Sequence, residues 1–405
     1  MRKLLCLPAL IALAAPAYAD MQFEFTGYAD FRLVSPPSND ASWLKGGLGK
    51  TRYGDKQSPF QFAGAVGKGS VLFTPELQLV GVARLEPDQK TFPDLLEAYV
   101  RYRPASTNEW RWSVMAGAFF APFSLENNEL GWAPYWTLTP SAINTWFGEE
   151  LRTLGGQGTL EWRRDEGKLT LTAGVFGWND PAGVMIADRG WALDDRPTSL
   201  FEELREPNAT LISFHKTPPD STPIFDEFDH SPGWYGGASW DDSDGWHLDF
   251  YRYDNAADPS AHQDDYYAWR TKFWDVGFSN QFGEFTVLSQ ALTGDTTISP
   301  SPTFTSITEF DSAYALLGWE RGEWRLAGRG DIFHTRTHNP FGASPNLSEN
   351  GYALTASASW LPNDWLRLTW EALSVTSKRG ERSVVGINPA QTETQFQFSA
   401  RVYLN

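Results

Sequence analysis

The chain has 405 residues, a formal net charge of −17 and one cysteine, Cys6. That balance argues against nucleic acid as a partner, since phosphate binding wants a basic face, and a single cysteine excludes a disulfide scaffold. The 19 Trp and 27 Phe sit in a chain whose mean hydropathy is only −0.40, which fits a wall with one oily face and one wet face.

Residues 1–19 read as a secretory signal. Arg2 and Lys3 supply the positive start, Leu4 to Ala15 a short apolar run, and Ala17-Tyr18-Ala19 a small-x-small cleavage site. Cleavage would remove Cys6 and take the formal charge from −17 to −19, because two cations leave. No later segment offers about 20 consecutive apolar residues, so no membrane helix is expected.

Residues 22–33 open residues 20–405 with strict alternation. Phe23, Phe25, Gly27, Ala29, Phe31 and Leu33 are apolar or small; Gln22, Glu24, Thr26, Tyr28, Asp30 and Arg32 are polar. Period two places these sets on opposite faces, and the length suits a tilted membrane strand. After a polar loop at 34–57, Phe60, Phe62, Gly64 and Val66 mark a second strand, and Gly67-Lys68-Gly69 reads as a turn. The third strand runs to Leu85, with Leu77, Leu79, Gly81 and Ala83 on its apolar face. The fourth puts Leu96, Ala98, Val100 and Tyr102 outward and Glu97, Tyr99, Arg101 and Arg103 inward. In the fifth, Trp110, Trp112, Val114, Ala116 and Ala118 face out.

The stretch 120–150 then breaks the pattern. It holds Trp132, Trp136, Trp146, Tyr135 and Phe147, three Pro and Glu126, Glu129, Glu149 and Glu150, with no Lys or Arg. So long a connection is uncommon unless it is functional, and it is expected to fold into the mouth of a barrel and narrow it. Strands six and seven flank 165–167. A second insertion, 179–232, is Pro- and acid-rich, with Ser199 and Glu202 at capping-box spacing suggesting a short helix near 199–205. Its acids (Asp188, Asp194, Asp195, Glu202, Glu203, Asp226, Glu227, Asp229) suit a solvated external loop, or Ca²⁺ or Mg²⁺. No other cofactor is expected. Further strand pairs flank 242–245, 283–284, 321–323 and 362–364, and 395–404 closes the count at sixteen. The expected fold is all-β, a 16-stranded antiparallel transmembrane β-barrel with tight turns on the periplasmic side and longer loops outside.

Alternation sends Arg32, Arg84, Arg101, Arg103, Arg111, Arg163, Arg325, Arg329, Arg367 and Arg401 into the lumen, with Glu24, Asp30, Glu76, Glu97, Glu161, Asp249, Asp331 and Glu371. These charges either pair and keep the lumen wet or form an arginine track that steers anions past an acidic mouth. The loop aromatics either pack the loop against the wall or offer stacking faces to a sugar or aromatic solute.

Gly117-Ala118-Phe119-Phe120-Ala121-Pro122-Phe123-Ser124-Leu125-Glu126 resembles the G-x-F-x-x-P-F-x-x-E stretch of the phosphate-selective porin O and P family of bacterial outer-membrane channels. The resemblance implies a homotrimeric porin in the cell outer membrane, in contact with lipid and lipopolysaccharide. It would pass small hydrophilic solutes or ions, anions among them. Nothing basic lies between Arg111 and Arg152, whereas members that take phosphate are associated with basic residues at the constriction. The chain also ends on Asn405 rather than an aromatic residue. No enzyme is expected: the six His (215, 230, 247, 262, 334 and 338) lack H-E-x-x-H spacing and no G-x-S-x-G is present. The alternatives are an outer-membrane barrel lipase using His247 and a secreted soluble β protein that binds or cleaves carbohydrate.

Overall fold

The computed structural model describes residues 21–35, 41–54, 58–87, 89–208, 220–338 and 346–404. The proposed signal segment 1–19, His215 and Asn405 lie outside the described residues.

The wall begins with β1 (Gln22–Ser35), β2 (Phe60–Thr74), β3 (Leu77–Leu85), β4 (Asp94–Tyr102) and β5 (Trp110–Phe119). After helix α1 (Ala142–Glu150) come β6 (Thr153–Arg164) and β7 (Gly167–Gly177). Helix α2 (Val184–Asp188) and a small hairpin, β8 (Glu203–Arg205) with β9 (Ser221–Pro223), lie in the second insertion. The wall resumes with β10 (Gly233–Asp242) and β11 (Trp246–Asp254), followed by a two-rung hairpin of β12 (His262–Gln263) and β13 (Tyr266–Tyr267). It is completed by β14 (Arg270–Phe282), β15 (Phe285–Ser301), β16 (Phe304–Arg321), β17 (Trp324–His338), β18 (Glu349–Asn363), β19 (Leu366–Arg379) and β20 (Ala390–Leu404).

The four hairpin strands apart, these make one closed antiparallel barrel of sixteen strands. Closure comes from β1 on β20, with Gly27 opposite Leu404 and Ser35 opposite Phe396. Every barrel strand therefore has two paired neighbours, and no backbone edge is left open. The alternation holds. Phe23, Phe25, Leu33, Val175, Leu354 and Phe396 stand more than half exposed on the outside, while Asp30, Arg32, Arg329, Glu371 and Arg401 are buried inside.

Five local expectations are corrected. Gly67-Lys68-Gly69 is not a turn; it lies mid-strand in β2, opposite Thr26, Gly27 and Phe25, and the turn falls at Pro75-Glu76. Separately, a bulge at Ala63 reverses the parity of β2. Gly64 adopts φ +140°, and beyond it Val66 faces in rather than out, as does Lys68 two residues on. Leu96 is likewise turned inward by a bulge in β4, into a fully buried cluster with Tyr28, Val66, Val80 and Val82. The helix expected near Ser199 is absent: the Ser199 hydroxyl accepts from Gln89, residues 203–205 form β8, and the insertion's helix is α2. Finally, β15 and β16 are joined on the loop side by only Pro302 and Thr303, so the rhythm of long loops fails there.

Candidate functional site: two loops inside the lumen

The first inner loop leaves β5 at Gly117. A Cβ there would sit 2.2 Å from the Ala98 carbonyl oxygen, and φ is +135°, so only glycine lets the chain turn in at this point. Phe123 is the anchor. Its ring lies 5.4 Å from Tyr235 and Tyr251, 5.5 Å from Phe147, 5.6 Å from Phe273 and 6.2 Å from Tyr253. Ser141 caps α1 by accepting from the Asn144 N–H at 3.3 Å, and all nine residues of the helix are buried. Trp136, Trp146 and Phe147 join Phe273, Phe310, Tyr314 and Leu316 in one apolar core within the barrel. Trp132 stacks on Phe120 at 4.0 Å.

Carboxylates then pin the loop to the wall. Glu126, fully buried, meets Arg329 and accepts from the Ser141 N–H at 2.9 Å. Glu129 is held by both terminal nitrogens of Arg367 at 2.8 and 2.6 Å, with Arg325 and Arg401 each 3.7 Å away. In the reverse sense, wall Glu371 accepts from the loop's Leu138 and Thr139 N–H groups at 2.6 and 3.1 Å. Arg325 lies 3.4 Å above the Tyr135 ring and donates to the Tyr135 carbonyl.

A second inner loop was not legible as such. The acid-rich insertion was expected outside, but residues 179–200 descend into the lumen and are almost wholly buried. The loops meet where Glu149 takes both terminal nitrogens of Arg189 at 3.0 and 2.6 Å, and where Trp146 meets Trp191 edge-on at 6.0 Å. Glu150 accepts from the Trp146 indole and the Met185 N–H. Asp195 closes the opposite side. It bonds Arg32 at 2.5 Å and Arg52 at 3.0 Å, while its backbone carbonyl accepts from Arg84. Glu86 pairs with Arg84 and with Arg196, and Asp30 with Arg32 and Arg401.

The ten inward arginines thus fall into two groups. Arg32, Arg84, Arg325, Arg329, Arg367 and Arg401 are buried against carboxylates, most of them on loops. Arg101, Arg103, Arg111 and Arg163 lie nearer the tight turns. There Arg101 donates to Gln78, Arg103 is 3.8 Å from Glu161, and Arg163 donates to the Asn108 carbonyl. A cavity of about 280 Å³ between Glu97, Tyr99, Arg101, Phe120 and Gln157 belongs to this vestibule. Three of the loop carboxylates expected as an acidic mouth, Glu126, Glu129 and Glu149, are therefore consumed as ion-pair partners, the fourth, Glu150, as an acceptor for the Trp146 indole and the Met185 N–H, and the loop aromatics as packing.

His247 has one ring nitrogen 2.7 Å from Asp241 and the other 3.2 Å from Asp249. Both nitrogens are occupied, which leaves neither to activate a serine. Asp180, Glu227 and Asp229 bring carboxylate oxygens within 4.8 Å of one another. Asp180 accepts from the Phe228 and Asp229 N–H groups, and Glu227 from those of Trp178 and His230. Burial, with Glu227 and Asp229 close by, raises the Asp180 carboxyl to about 7.

No protein-family model matches the chain, and no curated protein matches it either. Its fold is similar to that of the outer membrane channel DcaP of Acinetobacter baumannii, at 8% identity over 95% of this chain and 97% of that one, TM-score 0.55. It is similar to an anion-selective porin from Comamonas acidovorans, at 11% identity over 95% and 100%, TM-score 0.53. A trimer form of OmpT, an outer membrane protein of Vibrio cholerae, matches at 10% identity over 95% and 99%, TM-score 0.51. At such identities the likeness is one of fold.

Proposed function

We propose that the protein is an outer-membrane porin, a passive channel for small hydrophilic solutes or ions. The observation that carries this reading is the closed barrel with an apolar outer wall and a charged lumen narrowed by its own loops. The lumen arginines at the level of the loops are matched by carboxylates, so the reading assigns a narrow passage with weak ion preference. It does not assign a phosphate filter: nothing basic lies on the first inner loop, and the likeness to phosphate-selective channels rests on residues 117–126. Within that stretch Gly117, Phe123 and Glu126 have structural work, turning and anchoring the loop. The solved neighbours that are outer-membrane channels support the placement, and the trimeric one supports a homotrimer.

The test is a planar lipid bilayer. The purified protein is expected to give discrete steps of low conductance, with a reversal potential near zero in a tenfold salt gradient. It should also run faster on a gel in SDS before boiling than after. Absence of channels together with absence of this heat shift would overturn the reading.

A further inference from the structure

Asp195 fills a socket that other residues build. Arg32 of β1, Arg52 of the 41–54 loop and Arg84 of β3 surround it, and each is held in place without it. Arg32 is fixed by Asp30 at 2.8 Å and donates to Gln397 at 3.0 Å. Arg52 donates to the Ala63 carbonyl at 2.7 Å, and Arg84 pairs with Glu86. The Asp195 side chain, 10% exposed, is more open than those of the arginines, which are 1 to 5% exposed. Asp195 belongs to the second inner loop and the arginines do not, so the socket keeps its supports if Asp195 leaves.

The socket also has charge and a donor to spare. Arg32, Arg52 and Arg84 are three cations against two carboxylates, Asp30 and Glu86, which are themselves shared with Arg401 at 3.1 Å and Arg196 at 2.7 Å. Without Asp195 a buried guanidinium would lack a counter-charge, which is a costly state. The Arg52 guanidinium lies 5.2 Å from the Tyr53 ring centre, and the buried Tyr53 hydroxyl has no hydrogen-bond partner. The contacts of Asp195 outline a ligand. One end is a carboxylate, with Oδ2 2.5 Å from Arg32 and Oδ1 3.0 Å from Arg52. The other end is its backbone carbonyl, which accepts from Arg84 at 3.0 Å. Only Cα and Cβ separate the two carbonyl carbons, so the residue presents the skeleton of a four-carbon diacid.

We infer that Arg32, Arg52 and Arg84 form a binding site for a short diacid whose carboxylates stand two carbons apart, and that Asp195 occupies it as a tethered stand-in which such a solute displaces. The inference rests on the channel reading above and names a solute class for it. Guanidinium forks suit carboxylate oxygens, and a site already held in shape binds without the cost of ordering it. The second carboxylate of the diacid replaces a neutral carbonyl on Arg84 and adds the charge the socket lacks. The Tyr53 hydroxyl gains an acceptor. Asp195, once displaced, no longer latches the second inner loop, which keeps only its hold on the first through Arg189 and Trp191. A tethered competitor acts at an effective concentration on the order of millimolar or above, so free diacid should engage the wild type only at such concentrations.

The experiment uses the full-length protein, Asp195→Ala and the double variant D195A/R52Q, each checked for the heat shift in SDS. Binding of succinate, acetate and inorganic phosphate is measured by titration calorimetry. Asp195→Ala is expected to bind succinate at least tenfold more tightly than the wild type, and the double variant to lose that gain. Asp195→Ala should also prefer succinate at least tenfold over acetate and over phosphate. Equal succinate affinity in Asp195→Ala and wild type would overturn the inference. So would equal or tighter binding of acetate or phosphate by Asp195→Ala, which would mark a general anion site. If Asp195→Ala lacks the heat shift, wild type and Arg52→Gln decide the matter. Succinate should then quicken amide exchange of residues 190–196 in the wild type and not in Arg52→Gln, and exchange unmoved by succinate in the wild type overturns the inference. Chloride current is recorded on the same wild-type preparation. Current without the succinate effects defeats the diacid site alone, whereas absence of current and of the heat shift defeats the channel reading whether or not succinate binds.

Discussion

The two inner loops share a composition and differ in how they are held. Both are rich in Pro and acid. The first enters the lumen through one glycine, plants Phe123 among aromatic rings of the wall, and then meets strand arginines with Glu126 and Glu129. The second has no comparable aromatic anchor at its start. It is drawn in by Arg189 on Glu149, by Trp191 on Trp146, and by a single carboxylate, Asp195, set among Arg32, Arg52 and Arg84. The difference teaches that packing on the wall seats the first loop, while packing against the first loop and a charge latch together hold the second over it. A buried latch of this kind contributes little net stability but is costly to break from one side.

Phe123→Ala is the largest way to break the comparison. Loss of a buried phenyl costs about 3–5 kcal/mol, and both loops should loosen because the second rests on the first. The temperature of SDS-induced unfolding should fall and single-channel conductance should rise. If conductance stays at the wild-type value while unfolding shifts, the first loop is not what narrows the pore.

Asp195→Asn should come next, at about 3 kcal/mol, since it strands buried guanidinium groups. Here the expected readout is ionic rather than thermal: the reversal potential in a salt gradient should move toward anion preference. Glu129→Gln, which uncovers Arg367, Arg325 and Arg401 under the first loop, should move it the same way. A cation shift in either variant would defeat the view that the lumen is charge-balanced by loop carboxylates.

A smaller effect concerns the outer part of the second insertion. The Asp180 carboxyl is raised to about 7, chiefly by burial and then by Glu227 and Asp229. A raised carboxyl binds its proton more tightly in the folded state, so this contribution is fully present below the ordinary aspartate range. It is lost as pH rises through about 7. Amide protection factors, exchange corrected for its intrinsic pH dependence, should therefore be higher in residues 178–182 and 226–230 at pH 5.5 than at pH 8. Asp180→Asn should remove the difference, and a pH step that survives the substitution would assign it elsewhere. The smallest effect is at Lys90, whose partner Glu203 is a half-exposed surface pair. Lys90→Gln should change unfolding by less than about 0.5 kcal/mol and conductance not at all.

Much of the wall was legible in the sequence because a strand's two faces are a strict function of residue number. Phe23 through Leu33 and Phe396 through Leu404 could be assigned to the outside without a partner in view. The reading failed where one extra residue enters a strand. At Ala63 and in β4 at Leu96 a bulge reverses the parity, and alternation carries no mark of it beyond a glycine at Gly64. The first inner loop was legible from its Trp content and its distance from any Lys or Arg. The second was not, because Asp194 and Asp195 look the same in a sequence whether water or arginine surrounds them. The signal that could have found it was Trp191-Ala192-Leu193, an apolar triplet inside an acidic stretch that a solvated loop has no use for.

Alternation, turn spacing and the run of outward aromatics determined the sixteen-stranded cylinder, since backbone hydrogen bonding and a two-residue period leave few other ways to satisfy such a chain. Which carboxylate met which arginine was decided only by the tertiary structure. Arg32, Arg52 and Arg84 come from one local stretch of the wall and its loop, but Asp195 lies 163, 143 and 111 residues further along the chain, and only the descent of the second loop brings it within their reach.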